Sequence, residues 1–225
     1  MLLLQLVQES PLLADQPVEE TLSIIELLLK GGVVLIPIAI MSVIAVYIFI
    51  ERYITIKKAS RDEKEFMAQI KSHVLSGNID AAKALCKNTE IPVAAMIEKG
   101  LNRIGRPLKD INVAIENTGK IEIFKLEKKL ASLATISGAA PMIGFFGTVT
   151  GMIKAFFNMS KAGNNIEVGL LAGGIYEAMI TTAAGLVVGI IAYIGYNVLV
   201  TMIEKVIYKM ETSSLEFIDL LQEPA

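Results

Sequence analysis

Apolar residues in this chain fall in long unbroken runs rather than in the short alternations of a soluble domain. Residues 33–50, VVLIPIAIMSVIAVYIFI, are eighteen positions without a charge. A second run, 130–157, mixes Gly, Ala, Ser and Thr among its apolar residues and carries Lys154 near its end. The third, 168–200, is 33 residues long and holds one carboxylate, Glu177. About 20 residues suffice to carry a helix across the hydrocarbon of a bilayer. The pattern therefore predicts three spanning helices. Only the polar segment 158–167, ending in KAGNNIE, separates the second from the third, so those two are antiparallel neighbours.

The polar stretch 51–129 reads as helical. SGNIDAAKALCKN places a turn at Gly77-Asn78 before an Ala-rich run, with Asn78 or Asp80 as its N-cap. Ile91-Pro92 and Gly105-Arg106-Pro107 break the helices. From there nothing but Gly119 stops a helix before Pro141. One helix from residue 109 to 158, roughly 75 Å long at 1.5 Å per residue, is expected. The third span continues through MIEKVIYKMETSSLEFIDLL, so 201–225 is a second helical extension and the two form a stalk. The segment 1–32 lacks the basic start of a secretory signal and carries Glu9; its ETLSIIELLLK suggests an amphipathic helix on the membrane surface.

Composition strengthens this picture and charge orients it. The 225 residues are 53% apolar and only 20% charged, with mean hydropathy +0.57. Soluble domains are about 45–50% apolar and about a quarter charged. Sixteen of the 21 Lys and Arg lie in 51–129, headed by ERYITIKKASR directly after the first span. Basic residues next to a span stay inside. The N-terminus and the 158–167 connector are then outside, 51–129 and 201–225 inside. A net charge of −2 gives no footprint for nucleic acid, and the single Cys86 excludes an internal disulfide.

The chemistry lies in the second and third spans. Gly147/Gly151, Gly169/Gly173 and Gly185/Gly189 are GxxxG pairs, which allow close helix contact in lipid. Ser137, Ala140, Gly144, Thr148 and Gly151 make one small, weakly polar face; Gly174, Glu177, Thr181, Gly185 and Ala192 make another. Two such faces pack together or line a pore. Packing explains the small residues but not Glu177: an acid at the midplane costs roughly 2.5–3.5 kcal/mol on insertion scales. Pro141 should bend the second span. Asn197 caps polar groups or joins a water path. His73 stands alone, so no metal site is expected, nor any cofactor. Asn158-Met159-Ser160 is a chance glycosylation sequon. The Gly-rich string is not followed by the Lys-Ser/Thr of a phosphate loop. No nucleophile triad or paired carboxylates occur either, and the chain does not read as an enzyme.

GFFGTVTGM (144–152) and GIYEAMITTAAGLVVGIIAYIGYN (174–197) resemble the signature segments of the ExbB/TolQ/MotA family of proton-driven motor subunits. The likeness extends to the SVIAVYIFIERY exit of the first span, the basic block and the long stalk helices, over nearly all of 20–220. Three spans with an external N-terminus look like ExbB and TolQ, the MotA branch usually having four, and within that branch the chain is most like ExbB. The resemblance implies an all-α, multi-pass protein of the bacterial inner membrane, with 1–32 and 158–167 periplasmic and 51–129 and 201–225 cytoplasmic. It implies a pentameric ring around an ExbD-like single-span partner whose intramembrane Asp takes up the proton. The output would be proton-motive force passed to a TonB-like protein for transport across the outer membrane. By motif, Thr148, Glu177 and Thr181 match pore-facing positions and Asn197 the polar residue closing the third-span motif. A TolQ-like role in envelope constriction, or a gliding or secretion motor, is the alternative output, and a scaffold without proton flux is a third reading. One departure stands out: the family's Ala-Ile-Pro-Ala is Gly189-Ile190-Ile191-Ala192 here, which should leave the helix straighter.

Overall fold

The computed structural model describes residues 31–61, 63–161 and 168–222. Every regular element among them is an α-helix: α1 (Leu35–Ala59), α2 (Glu63–Leu75), α3 (Ile79–Asn88), α4 (Pro92–Leu101), α5 (Leu108–Glu127), α6 (Leu130–Lys161) and α7 (Val168–Gln222). Three of the helical stretches are long and apolar enough to cross a membrane. The amphipathic helix expected before residue 31 and the connector 162–167 lie outside the described residues.

Local signals account for most boundaries. Asn78 caps α3 by accepting the Ala81 N–H (3.2 Å), and Pro92 starts α4 at a position where its missing N–H costs nothing. Gly105, at φ +93, turns the chain into Pro107 and α5. Pro141 lies inside α6 without ending it. α7 runs 55 residues, roughly 80 Å, so the third span and its extension are one rod.

The single helix expected from 109 to 158 is interrupted. Lys128 and Lys129 separate α5 from α6, and Lys129 has φ +68, a left-handed backbone costing roughly 1–2 kcal/mol for a side-chain-bearing residue. Contacts from another helix hold it there. Arg52, buried at the exit of α1, donates to the Lys125 carbonyl (3.1 Å), which the break frees from its helix. Lys129 Nζ meets Glu51 Oε2 at 2.5 Å, while the other Glu51 oxygen pairs with Arg52. These two cations hold the Glu51 carboxyl below the usual glutamate range, Lys129 contributing most. Farther on, Lys209 of α7 donates to the Ser60 carbonyl closing α1 (3.0 Å), and Ser213 donates to Glu63 (2.7 Å).

α6 and α7 pack along each other through the most extensive contact among the described residues, and α1 lies against both. Short helices α2–α5 gather on the C-terminal half of α7. There Ile56, Phe66, Ile70, Ile97, Ile115, Met210 and Phe217 fill a core of large side chains. In the apolar half the order is reversed: Tyr47, Phe145, Phe146, Val187 and Ile191 point outward, and Ala140, Gly144, Gly147, Ala178 and Gly185 are inside. That is the distribution a bilayer permits, since outward apolar residues meet lipid.

Candidate functional site

The α6/α7 contact is made by backbone. A Cβ on Gly185 would stand 2.6 Å from the Ala140 carbonyl oxygen; on Gly144, 2.8 Å from that of Thr181; on Gly151, 2.9 Å from Ala178 Cβ. One on Gly189 would meet the Pro141 ring at 2.5 Å, and one on Gly147 the Thr181 hydroxyl. Gly147, Gly151, Gly185 and Gly189 thus all sit where the helices cross. Gly169 and Gly173 differ: nothing described approaches either within 4 Å.

Within this contact three threonine hydroxyls converge on two carbonyls. Thr182 donates to the Gly144 carbonyl (3.0 Å) and Thr181 to that of Ala178 (2.8 Å). Thr148 reaches the Ala178 carbonyl at 3.2 Å and is hydrogen-bonded to the Thr182 hydroxyl. Thr181 is only 2% exposed, while Thr148 and Thr182 are half-buried. Each hydroxyl has one proton to give and lone pairs to accept with. Such a set changes its donor directions by rotation, without any side chain becoming charged.

The four residues matched to a pore do not share one surface of the subunit. Thr148 and Thr181 both reach the Ala178 carbonyl where the helices cross, but the hydroxyl that Thr148 meets directly is that of Thr182. Glu177 lies to the α1 side, its carboxylate against Gly32. Asn197 is exposed and bonds its own helix at the Tyr193 carbonyl (2.8 Å), roughly 22 Å along the axis from Thr182 at 1.5 Å per residue. Thr182 is the member the sequence reading missed. It shares the small-residue face of Gly174, Ala178, Gly185 and Gly189, and that spacing was the available signal. The buried Tyr176 hydroxyl has no hydrogen-bond partner among the described residues. No cluster of metal-ligating side chains occurs among them.

The chain's similarities bear on what this cluster serves. A profile of the MotA/TolQ/ExbB proton channel family matches residues 88–212, which takes in α4, α5, α6 and the threonine-bearing part of α7. The putative biopolymer transport protein ExbB-like 1 of Synechocystis sp. is 29% identical over 195 residues, 86% of this chain and 75% of that one. The biopolymer transport protein ExbB of Neisseria gonorrhoeae is 38% identical over 87 residues, 39% of each chain. The Tol-Pal system protein TolQ of Haemophilus influenzae is 43% identical over 76 residues, 34% of this chain and 33% of its own. With the family profile covering more than half of its length, including both glycine-threonine segments, this membrane protein belongs to the MotA/TolQ/ExbB proton channel family.

Proposed function

We propose that the chain is the multi-span subunit of a proton-driven motor in the bacterial inner membrane, of the ExbB kind. Several copies, five by the family likeness, surround a lumen that holds a single-span partner bearing an intramembrane Asp. The N-terminus and the 158–167 connector face the periplasm; α2–α5 and the end of α7 are cytoplasmic. Force reaches a TonB-like protein that energises transport across the outer membrane.

One observation carries this reading: the Thr148/Thr181/Thr182 hydroxyl cluster, set on the Gly144 and Ala178 carbonyls inside a contact made of glycine and alanine. Packing needs small residues there, but it does not need three hydroxyls. They supply a polar, uncharged surface beside which a partner carboxyl exchanges its proton with water. Asn197 and Thr201, exposed at successive turns of α7, form a separate polar spot nearer the cytoplasmic mouth.

The test is Thr181→Val, which keeps the shape and removes the hydroxyl. In cells lacking the native protein it should abolish energised uptake across the outer membrane while insertion and assembly persist. Normal uptake would remove the cluster from the mechanism. The likeness to a TolQ protein supports a second output, envelope constriction. Deletion separates the two: starvation for an imported nutrient follows from the first, leaky and poorly dividing cells from the second.

A further inference from the structure

The entry to α1 has a structural oddity that the proton path leaves unexplained. The chain enters the helix through Gly31 and Gly32, and Gly32 adopts φ +65, a left-handed backbone suited to glycine. Any side chain on Gly32 would collide with Glu177 Oε1 and stand 3.0 Å from its Cδ. One on Gly31 would lie 3.3 Å from Ile180 Cγ2. A turn later, Val34 Cγ1 is 3.2 Å from the place a Cβ on Gly147 would occupy, beside the buried Thr181. Val34 is the N-cap of α1, and no side chain of its own satisfies that end.

The only carboxylate in the third apolar run is thus wedged against glycine backbone at the start of another helix. We infer that residues 31–35 form a seal over the threonine cluster on the α1 side, and that Glu177 is the positioning residue that keeps this seal closed. Thr181 is inaccessible because Gly147 lies on one side of it and the first turn of α1 covers the edge. Freed from Glu177, the turn would lift and water would reach the Ala178 and Gly144 carbonyls from the N-terminal side of α1. Glu177 then acts through Gly32 and never touches the transferred proton.

This predicts a sign opposite to that of a pore-lining acid: removing Glu177 should raise passive proton leak, not lower it. The inference uses the proton-path reading only for that readout; the contact itself is read separately. Membrane vesicles from cells making the full chain with its native partners are loaded with a pH-sensitive dye. Glu177→Ala and Gly32→Ala should each raise the leak several-fold, and Glu177→Gln, which keeps the length and shape, should return it most of the way. In parallel, Gly31→Cys with Ile180→Cys should form a disulfide in the otherwise unaltered chain, because a Cβ on Gly31 would stand 3.3 Å from Ile180 Cγ2, close to where a sulfur on residue 180 would sit. Its yield should drop when Glu177→Ala is added. Absence of the disulfide in the unaltered background, or a leak that falls or stays constant in Glu177→Ala, overturns the seal. If Thr181→Val still abolishes proton flux in those vesicles, only the seal has failed; if it does not, the proton path has failed as well.

Discussion

The two halves of α7 are held by opposite means. Toward its C-terminus the helix is gripped by large side chains, with Met210 and Phe217 fully buried among Ile70, Ile97 and Ile115. Toward its N-terminus it is gripped by near-absence of side chains, with Gly185 against the Ala140 carbonyl and Gly151 against Ala178. The solvent explains the contrast. In water, burying a large apolar side chain is the driving force. In lipid that force vanishes, and close backbone approach with shared hydroxyl–carbonyl bonds takes its place. A polar cluster is therefore cheap in the lipid half, because the same small residues that let the helices touch expose the carbonyls its threonines need.

The contrast breaks most visibly at glycine. Gly185→Leu would drive a side chain into backbone that has no room to move, so the α6/α7 pair should not form and protein should be lost from membranes. Gly173→Leu, with nothing among the described residues within 4 Å of its Cβ position, should leave the subunit fold intact by protease resistance in the same membranes. In the other half the expected loss is smaller. Phe217→Ala should cost about 3–5 kcal/mol, the range for emptying a buried aromatic site, read as lower thermal stability of the purified protein. Arg52→Ala comes next: it removes the donor to the Lys125 carbonyl at the strained Lys128–Lys129 junction, for about 1–3 kcal/mol.

Titration sharpens the same boundary with smaller effects. The Glu51 carboxyl is held low by Lys129 and Arg52, so its contribution is present above the ordinary glutamate range and lost as pH falls through its folded value. Melting followed from pH 7 to pH 3 should show an acid loss that Glu51→Gln reduces. The smallest effect concerns Cys86. Burial, with Glu98 adding to it, pushes this thiol up to about 12, so it is neutral at pH 8. Alkylation in the folded protein should be far slower than in denaturant; rapid labelling would show that the α2–α5 core is loose.

Which features the sequence disclosed follows the same division. The spans and the caps at Asn78, Pro92 and Pro107 are local or periodic signals, and a single chain carries them openly. The Lys128–Lys129 break is not local. Neither residue stops helices, and the interruption depends on Glu51 and Arg52, 78 and 73 positions away from their Lys129 and Lys125 partners. Read linearly, those two residues belong to a basic block that sets orientation; in the fold they also pin a joint. The threonine seam was half legible. Thr148 and a threonine opposite it followed from spacing, but Thr181 and Thr182 are adjacent on α7, about 100° apart around the helix, and period alone did not say which one faces the Thr148 hydroxyl. Glu177 was singled out by charge and cost, whereas its neighbour Gly32 lies in a turn whose backbone conformation no pattern announces.

The most direct measurement is proton flux through vesicles containing the assembled complex, comparing the unaltered chain with Thr148→Val, Thr182→Val and the pair combined. The account predicts that each single change cuts flux strongly and that the double change is little worse than either, because the two hydroxyls share one hydrogen bond, with assembly unchanged by native mass spectrometry. Undiminished flux in the double variant would contradict it and leave the threonines as packing alone.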